Sequence, residues 1–264
     1  IKAQWYPPRF ELDKDFPTLP LGQRWLTGGL GGICIGGDDR IVLLNRQNVV
    51  ADDLDGALLA PAVIILDKDG TTLGGWGNSA AFGGRLHDCH VNADSSLWIV
   101  PAATGHIQRW SASGELLAQI GDSDSFDSSD RSRSGEPLNS NSAQFFLPAS
   151  VDVDESNGEI YVADGELPGG NTRIAVFNAD GSFQRQWRLH RDDNDKRIEL
   201  PHCLRISDDG LIYVCDRRAD QIQVFDKQGK LQQKIRAPHT PLSDSNGRIS
   251  GVRGDTVVLD FSTD

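Results

Sequence analysis

One unit recurs along this chain, and recurrence at this spacing restricts the fold more than any single residue does. Three segments align directly: CHVNADSSLWIVPAATGHIQRWSASGELLAQIG from Cys89, VDVDESNGEIYVADGELPGGNTRIAVFNADGSFQRQW from Val151, and LRISDDGLIYVCDRRADQIQVFDKQGKLQQKI from Leu204. A fourth copy, ICIGGDDRIVLLNRQ from Ile33, resumes after an insertion as AVIILDKDGTTLGGWG. Short β-branched and aromatic runs alternate with Gly, Asp and Asn turns, so each copy reads as four antiparallel strands. A D-x-x-G turn leads into the fourth strand, where Asp accepts local backbone N–H groups and Gly tolerates positive φ. A lone meander of this kind cannot bury both faces, whereas copies set radially about an axis can. The expected fold is therefore all-β, a propeller of four-stranded antiparallel blades in one domain over residues 1–264.

Blades are expected from about residues 31, 87, 149, 202 and 247. The last copy, GRISGVRGDTVVLDF at 247–261, supplies two strands, and RFELDKDFPTLP at 9–20 is read as a closing outer strand. Six blades, the last incomplete in this chain, is the favoured count, with five the alternative.

Charge and cysteine usage narrow the function classes. The 264 residues carry a net charge of −12. An acidic surface repels phosphate backbones, which argues against nucleic acid and is compatible with a bound cation. No apolar run is long enough to span a membrane. The four cysteines show neither C-x-x-C pairing nor dense spacing, so neither a disulfide framework nor a thiolate zinc cluster is expected. The chain starts at Ile1 and has no Met. A soluble protein, periplasmic or secreted with its signal peptide removed, is the expectation.

Alignment of the copies separates residues the blade requires from residues it does not. Just before the first strand stand Gly31, His87, Ala149 and His202. Histidine is therefore no requirement of the blade, and its presence in copies two and four suggests metal ligands near the axis. A third histidine in a last blade would complete a trigonal set with an open fourth position, a catalytic zinc arrangement. Just past the second strand stand Arg46, Ala102, Gly165 and Arg217. Arg46 and Arg217 suit a carboxylate-bearing ligand in the channel, or else interblade ion pairs. Glu166 follows as a general base or a metal ligand. His90, His106, His190 and Cys89 read as structural or solvated. ADDLDG at 51–56 has fragments of a calcium loop without the spacing of an EF-hand, so Ca²⁺ ranks below Zn²⁺ as the cation. GDSDSFDSSDRSRSGEPLNSNS at 121–142 reads as a long mobile loop, able to serve as a lid.

The repeat pattern resembles the NHL repeat. Within NHL propellers the chain looks most like the lyase domain of peptidylglycine α-amidating enzymes and its bacterial relatives. The resemblance covers about residues 20–261 and rests on LLNR at 43–46, LHDC at 86–89, VADGE at 162–166 and PHCL…VCDRR at 201–218. It implies zinc held by three histidines, two of them His87 and His202. The third would come from a blade this sequence lacks, or from His239 in APHTPL. It also implies arginines at Arg46 and Arg217, beside the metal and in substrate contact. The implied reaction cleaves a peptidyl-α-hydroxyglycine to an amide and glyoxylate. Where Glu166 stands, that family carries a tyrosine that works with an arginine in proton transfer. A non-catalytic propeller that binds a protein or small ligand is the alternative.

Overall fold

The computed structural model describes residues 13–192 and 194–236. Strand β1 (Trp25–Leu26) leads into the first blade, β2 (Leu30–Ile35), β3 (Ile41–Asn45), β5 (Val63–Leu66) and β6 (Thr72–Trp76). The insertion contains β4 (Leu58–Leu59), which pairs in parallel with β1. Blade two is β7 (Arg85–Val91), β8 (Leu97–Ala102), β9 (Ile107–Trp110) and β10 (Leu116–Ile120). Blade three is β11 (Pro148–Asp154), β12 (Glu159–Asp164), β13 (Arg173–Phe177) and β14 (Phe183–Arg188). Blade four is β15 (Pro201–Ile206), β16 (Ile212–Asp216), β17 (Gln221–Phe225) and β18 (Leu231–Arg236). Each blade is a four-stranded antiparallel meander, as the repeat predicts. The tail blade at 247–261 and His239 lie outside the described residues. Of the stretch 9–20, residues 13–20 are described and contain no strand.

Successive blades bury their faces against one another. Leu44 and Val63 of the first blade pack with Leu86, Ile99 and Trp110 of the second. Val100 and Ile107 of the second pack with Val151, Val162 and Phe177 of the third. Tyr161, Ile174 and Val176 of the third pack with Leu204, Val214 and Phe225 of the fourth. The outer face of blade one is covered in part by Leu21, Trp25 and Ala60.

The turn before each fourth strand explains how neighbouring blades register. Gly70, Gly114, Gly181 and Gly229 occupy the same turn position at φ between +80° and +87°. A Cβ on Gly114 would lie 2.8 Å from the Trp76 ring of blade one, and one on Gly229 would lie 2.6 Å from the Trp187 ring of blade three. Gly181 faces Ile120 of blade two in the same way. Blade one has no described predecessor, yet a Cβ on Gly70 would lie 2.9 Å from the Phe16 ring. Thr18 N–H also donates to the Gly70 carbonyl. The N-terminal segment thus takes the place that an outer strand takes at the other turns.

The segment 121–147 corrects the expectation of a mobile lid. It lies folded against blade three, with Phe145 and Phe146 buried. Asp127 accepts from Ser140 N at 2.8 Å and from Asn171 Nδ2 at 2.9 Å. Buried Arg173 pairs with Asp164 at 3.1 Å and approaches Asp127 at 3.5 Å, and it donates to the Ser140 and Gln144 carbonyls. Burial pushes the Asp164 carboxyl up, against the opposing pull of Arg173. In sequence the segment is Ser- and Asp-rich without apolar periodicity, and Arg173, the cation that fixes it, lies beyond it in β13.

Gly229→Ala should lower stability by about 2 kcal/mol, since it combines left-handed strain with a clash against Trp187. Urea unfolding of the variant measures this. Arg173→Leu leaves two buried carboxylates without their cation and should cost about 3–5 kcal/mol. The same experiment reads it, and near-neutral behaviour would contradict the anchoring role of Arg173.

Candidate metal centre

All four inner strands begin with the same irregularity. The pairing slips between Leu30 and Gly32, between Leu86 and Asp88, between Pro148 and Ser150, and between Pro201 and Leu204. Each slip is a β-bulge, and the residue it sets aside is Gly31, His87, Ala149 or, with Cys203, His202. A bulge turns a side chain out of the ladder. The position singled out by aligning the repeats is therefore a backbone feature of every blade, and its side chain is free to vary.

His87 and His202 come together there. Their ring centroids are 5.0 Å apart at 83°. Glu166 joins them as the third member: its Oε2 lies 3.1 Å from His87 Nε2 and 2.8 Å from His202 Nε2. Among the described residues these three form the one group of His, Cys, Asp and Glu able to hold a metal ion. All three stand out in the sequence, where the third ligand is expected from a missing blade or from His239 and Glu166 is either a general base or a ligand.

The ring of His87 fixes its own tautomer. Its Nδ1 lies 2.8 Å from the Ala149 carbonyl, which can only accept, so Nδ1 carries the proton. In neutral His87 the lone pair is then on Nε2, facing the carboxylate oxygen. Glu166 Oε2 and His202 Nε2 are both buried without a hydrogen-bond partner. The 2.8 Å approach of these two atoms is close enough for an ion pair but is not aligned as a hydrogen bond. Three atoms able to donate an electron pair thus lie within 4.8 Å of one another, placed to share a proton or a cation. Burial disfavours the Glu166 anion, yet contact with His202 and His87 outweighs it and holds this carboxyl far below the usual range.

Arginines surround the carboxylate. Arg85 donates to Glu166 Oε1 at 2.6 Å. Arg217 approaches Oε2 at 3.8 Å and donates to the Glu166 carbonyl at 3.4 Å. Arg46 spends its Nε–H on the Leu86 carbonyl at 3.0 Å. Burial, then the neighbouring Arg85 charge, lowers the Arg46 pKa. Arg46 and Arg85 line a cavity of about 480 Å³ together with Asn48 and Ser79. Arg85 was missed in the sequence because it sits on the first strand, two residues before the compared position His87. Gly31 explains why blade one offers no histidine: a Cβ there would lie 2.1 Å from the Leu86 oxygen and 3.1 Å from Arg46 Nε. Gly165 similarly lets the backbone that carries Glu166 pass Pro201, which a Cβ would meet at 2.6 Å.

The cysteines overturn the sequence expectation. Cys34 is bonded to Cys89, and Cys203 to Cys215. The partners are 55 and 12 residues apart in sequence, so no spacing motif announces them. Asp52 and Asp53 of the suggested calcium loop lie exposed on a short 3-10 turn.

Comparison with known proteins agrees with this architecture. Residues 200–225 match the NHL repeat family model. The chain is 27% identical over 192 residues to NHL repeat-containing protein 3 of Homo sapiens, covering 68% of this chain and 51% of that protein. It is 26% identical over 245 residues to peptidyl-glycine alpha-amidating monooxygenase B of Xenopus laevis, covering 86% of this chain and 26% of that protein. The chain thus spans about half the length of the first of these relatives and about a quarter of the second. Among solved structures, a streptogramin B lyase superposes with a TM-score of 0.50 at 16% identity, covering 80% of this chain and 55% of that one. A gluconolactonase from Xanthomonas campestris gives 0.50 at 15%, covering 79% and 62%. These two similarities establish the fold.

The remaining described histidines serve other ends. His106 is buried against the Phe82 carbonyl, and burial lowers its pKa. His190 is largely exposed, 3.9 Å from Asp192. His90 ties blade two to blade three, with Nδ1 at 2.5 Å from Asp152 and Nε2 at 3.1 Å from Glu155. Burial opposes its protonation, but the two carboxylates outweigh burial and raise its pKa. A raised histidine pKa stabilises the fold fully below the unfolded value, near 6.5, and the gain is lost as pH rises through the folded value. His90→Gln should therefore cost more stability at pH 5.5 than at pH 9. Thermal unfolding of both proteins across that range tests it, and a pH-independent difference would contradict it.

Proposed function

We propose that this NHL-repeat propeller is a metal-dependent lyase acting at its axis on a carboxylate-bearing small molecule or peptide end. The carrying observation is the convergence of His87 Nε2, His202 Nε2 and Glu166 Oε2, two of which are buried without a hydrogen-bond partner. Two imidazoles and one carboxylate are a donor set of catalytic zinc sites, which keep a further position open. The Nδ1 bond of His87 to the Ala149 carbonyl is the kind of outer contact that orients a metal-binding histidine. Zn²⁺ held there would polarise a substrate hydroxyl and lower its pKa.

The protein's own groups supply the rest. Arg46 and Arg85 present two guanidiniums to the adjoining cavity, and their mutual repulsion is relieved by an anion placed between them. A substrate carboxylate fits that role. Arg217, beside Glu166, bears on the reacting end. Glu166 cannot act as the tyrosine of the amidating lyases does. Its Oε2 is directed at the histidines while Arg85 holds Oε1, which favours the role of ligand over that of base. Similarity to an amidating monooxygenase supports cleavage of an α-hydroxy-acid amide to an amide and an oxo-acid. A six-bladed ring fits this reading, since blades two and four are then a third of a turn apart about the axis. The two disulfides suit an oxidising compartment, which supports a periplasmic or secreted location. The net charge of −12 argues against a nucleic-acid partner.

Purified protein without a histidine tag should contain about one zinc per chain by elemental analysis. His87→Ala, His202→Ala and Glu166→Ala should each lose it, and each should abolish oxo-acid release from an N-acyl-α-hydroxyglycine. Arg46→Ala should keep the metal and raise KM by at least about tenfold. Wild-type protein that takes up no zinc, nickel or cobalt from metal-supplemented buffer would sink the enzyme reading and favour a binding scaffold.

A further inference from the structure

We propose that the Cys203–Cys215 disulfide is a redox-sensitive positioning element of the metal site, and that a dithiol reductant disengages His202 and Arg217 by opening it. This rests on the reading above, in which both residues serve that site.

The two histidines are held in different ways. His87 is fixed through its own ring, by Nδ1 on the Ala149 carbonyl. The next residue, Asp88, accepts from Ser150 Oγ, Val151 N and Arg205, which pins that bulge to blades three and four. His202 has no counterpart among the described residues: its Nε2 has no hydrogen-bond partner, and its contacts are the Glu166 carboxylate and the His87 ring edge. Among the described residues no hydrogen bond from its own ring to the backbone holds it as Nδ1 holds His87, so its direction depends on its backbone as well as on the Glu166 contact. That backbone is the part of β15 skipped by the ladder, which pairs Pro201 with Asp216 and resumes only at Leu204 with Val214. The disulfide crosses the gap. Cys203 directly follows His202, and Cys215 is two residues before Arg217. One covalent bond thus fixes the loose end of the bulge and the strand end that carries the arginine.

The second disulfide supplies a contrast. Cys34–Cys89 joins the inner strands of blades one and two, with both residues buried. Cys215 is buried as well, but Cys203 is partly exposed. A reductant's thiolate reaches Cys203 Sγ first, and the Cys215 thiolate leaves. The reductant's second thiol then displaces Cys203 from the mixed disulfide. Two electrons and two protons pass to the protein, which gains two thiols, and the reductant becomes a disulfide.

The test compares wild type with the double variants Cys203→Ala/Cys215→Ala and Cys34→Ala/Cys89→Ala. Imidazole nitrogen–proton NMR signals of the metal-free proteins, at one fixed pH, report histidine position directly. The 203/215 variant should move the His202 signal to that of a solvated imidazole and leave His87 in place. The 34/89 variant should leave His202 where it is. Zn²⁺ affinity by chelator competition should fall at least tenfold in the 203/215 variant. Adding back a conformational lock by air oxidation of dithiothreitol-reduced wild type should restore both readouts. A folded 203/215 variant with an unmoved His202 signal overturns the positioning role. If that variant does not fold, the same signals are followed in wild type titrated with dithiothreitol, where selective movement of His202 supports the inference and simultaneous loss of all dispersion overturns it. A moved His202 signal in a protein that never binds Zn²⁺ supports the positioning role and separately rejects the metal reading.

Discussion

The bulge at the start of each inner strand is the constraint on which the rest depends. A regular ladder would spend both faces of the inner strand on interblade packing. Slipping the register releases the residue at the bulge from the ladder without disturbing the apolar alternation behind it. Behind it each pair of neighbouring blades buries its own apolar cluster, with Leu86 in the first, Val100 in the second, and Leu204 and Val214 in the third. Ahead of it the bulge residues shape the site. Gly31 yields its space to Arg46, Ala149 lends its carbonyl to His87, and His87 and His202 face Glu166.

Such a site needs the blades held at a fixed angle, and a buried polar hub does this. Asp88 of blade two binds Ser150 of blade three and Arg205 of blade four. Burial disfavours the Asp88 anion, but the Arg205 charge and the accepted hydrogen bonds more than compensate and lower its pKa. Ser150 Oγ also accepts from the Leu204 backbone N–H. The three blades that supply His87, Glu166 and His202 are thus joined through adjacent residues in their inner strands. Truncating any one member of such a network leaves the others buried and unsatisfied.

The repeat made the blades readable from the amino-acid sequence alone, because a strand–turn period with Gly at the turn has few other solutions. It also isolated His87, His202, Arg46 and Arg217, since sister copies differ there. It could not say that Glu166 closes the group. Glu166 belongs to blade three, whose bulge carries Ala149, and it reaches the histidines from the end of the second strand rather than from the first. That approach depends on Gly165 passing Pro201, a contact between residues 36 apart. The disulfides were hidden for a like reason, as Cys34 and Cys89 meet only once two blades stack. The segment 121–142 looked unanchored because its cation, Arg173, lies beyond it in β13.

Charge gives a reason for a carboxylate where a third imidazole is the expectation. Arg46, Arg85 and Arg217 all lie around the proposed centre, and Arg85 and Arg217 approach Glu166 itself. A divalent ion held by three neutral imidazoles would keep its full double charge beside these guanidiniums. With Glu166 as a donor, one of those charges is cancelled inside the group, and the Oε1 left over is neutralised by Arg85. Uncompensated like charges at such distances in a partly buried site cost several kcal/mol at an effective dielectric of about 20. The arginines that suit an anionic substrate and the carboxylate that departs from the amidating pattern are therefore two sides of one electrostatic arrangement. Replacing Glu166 by a neutral group would strain the ion and the arginines together.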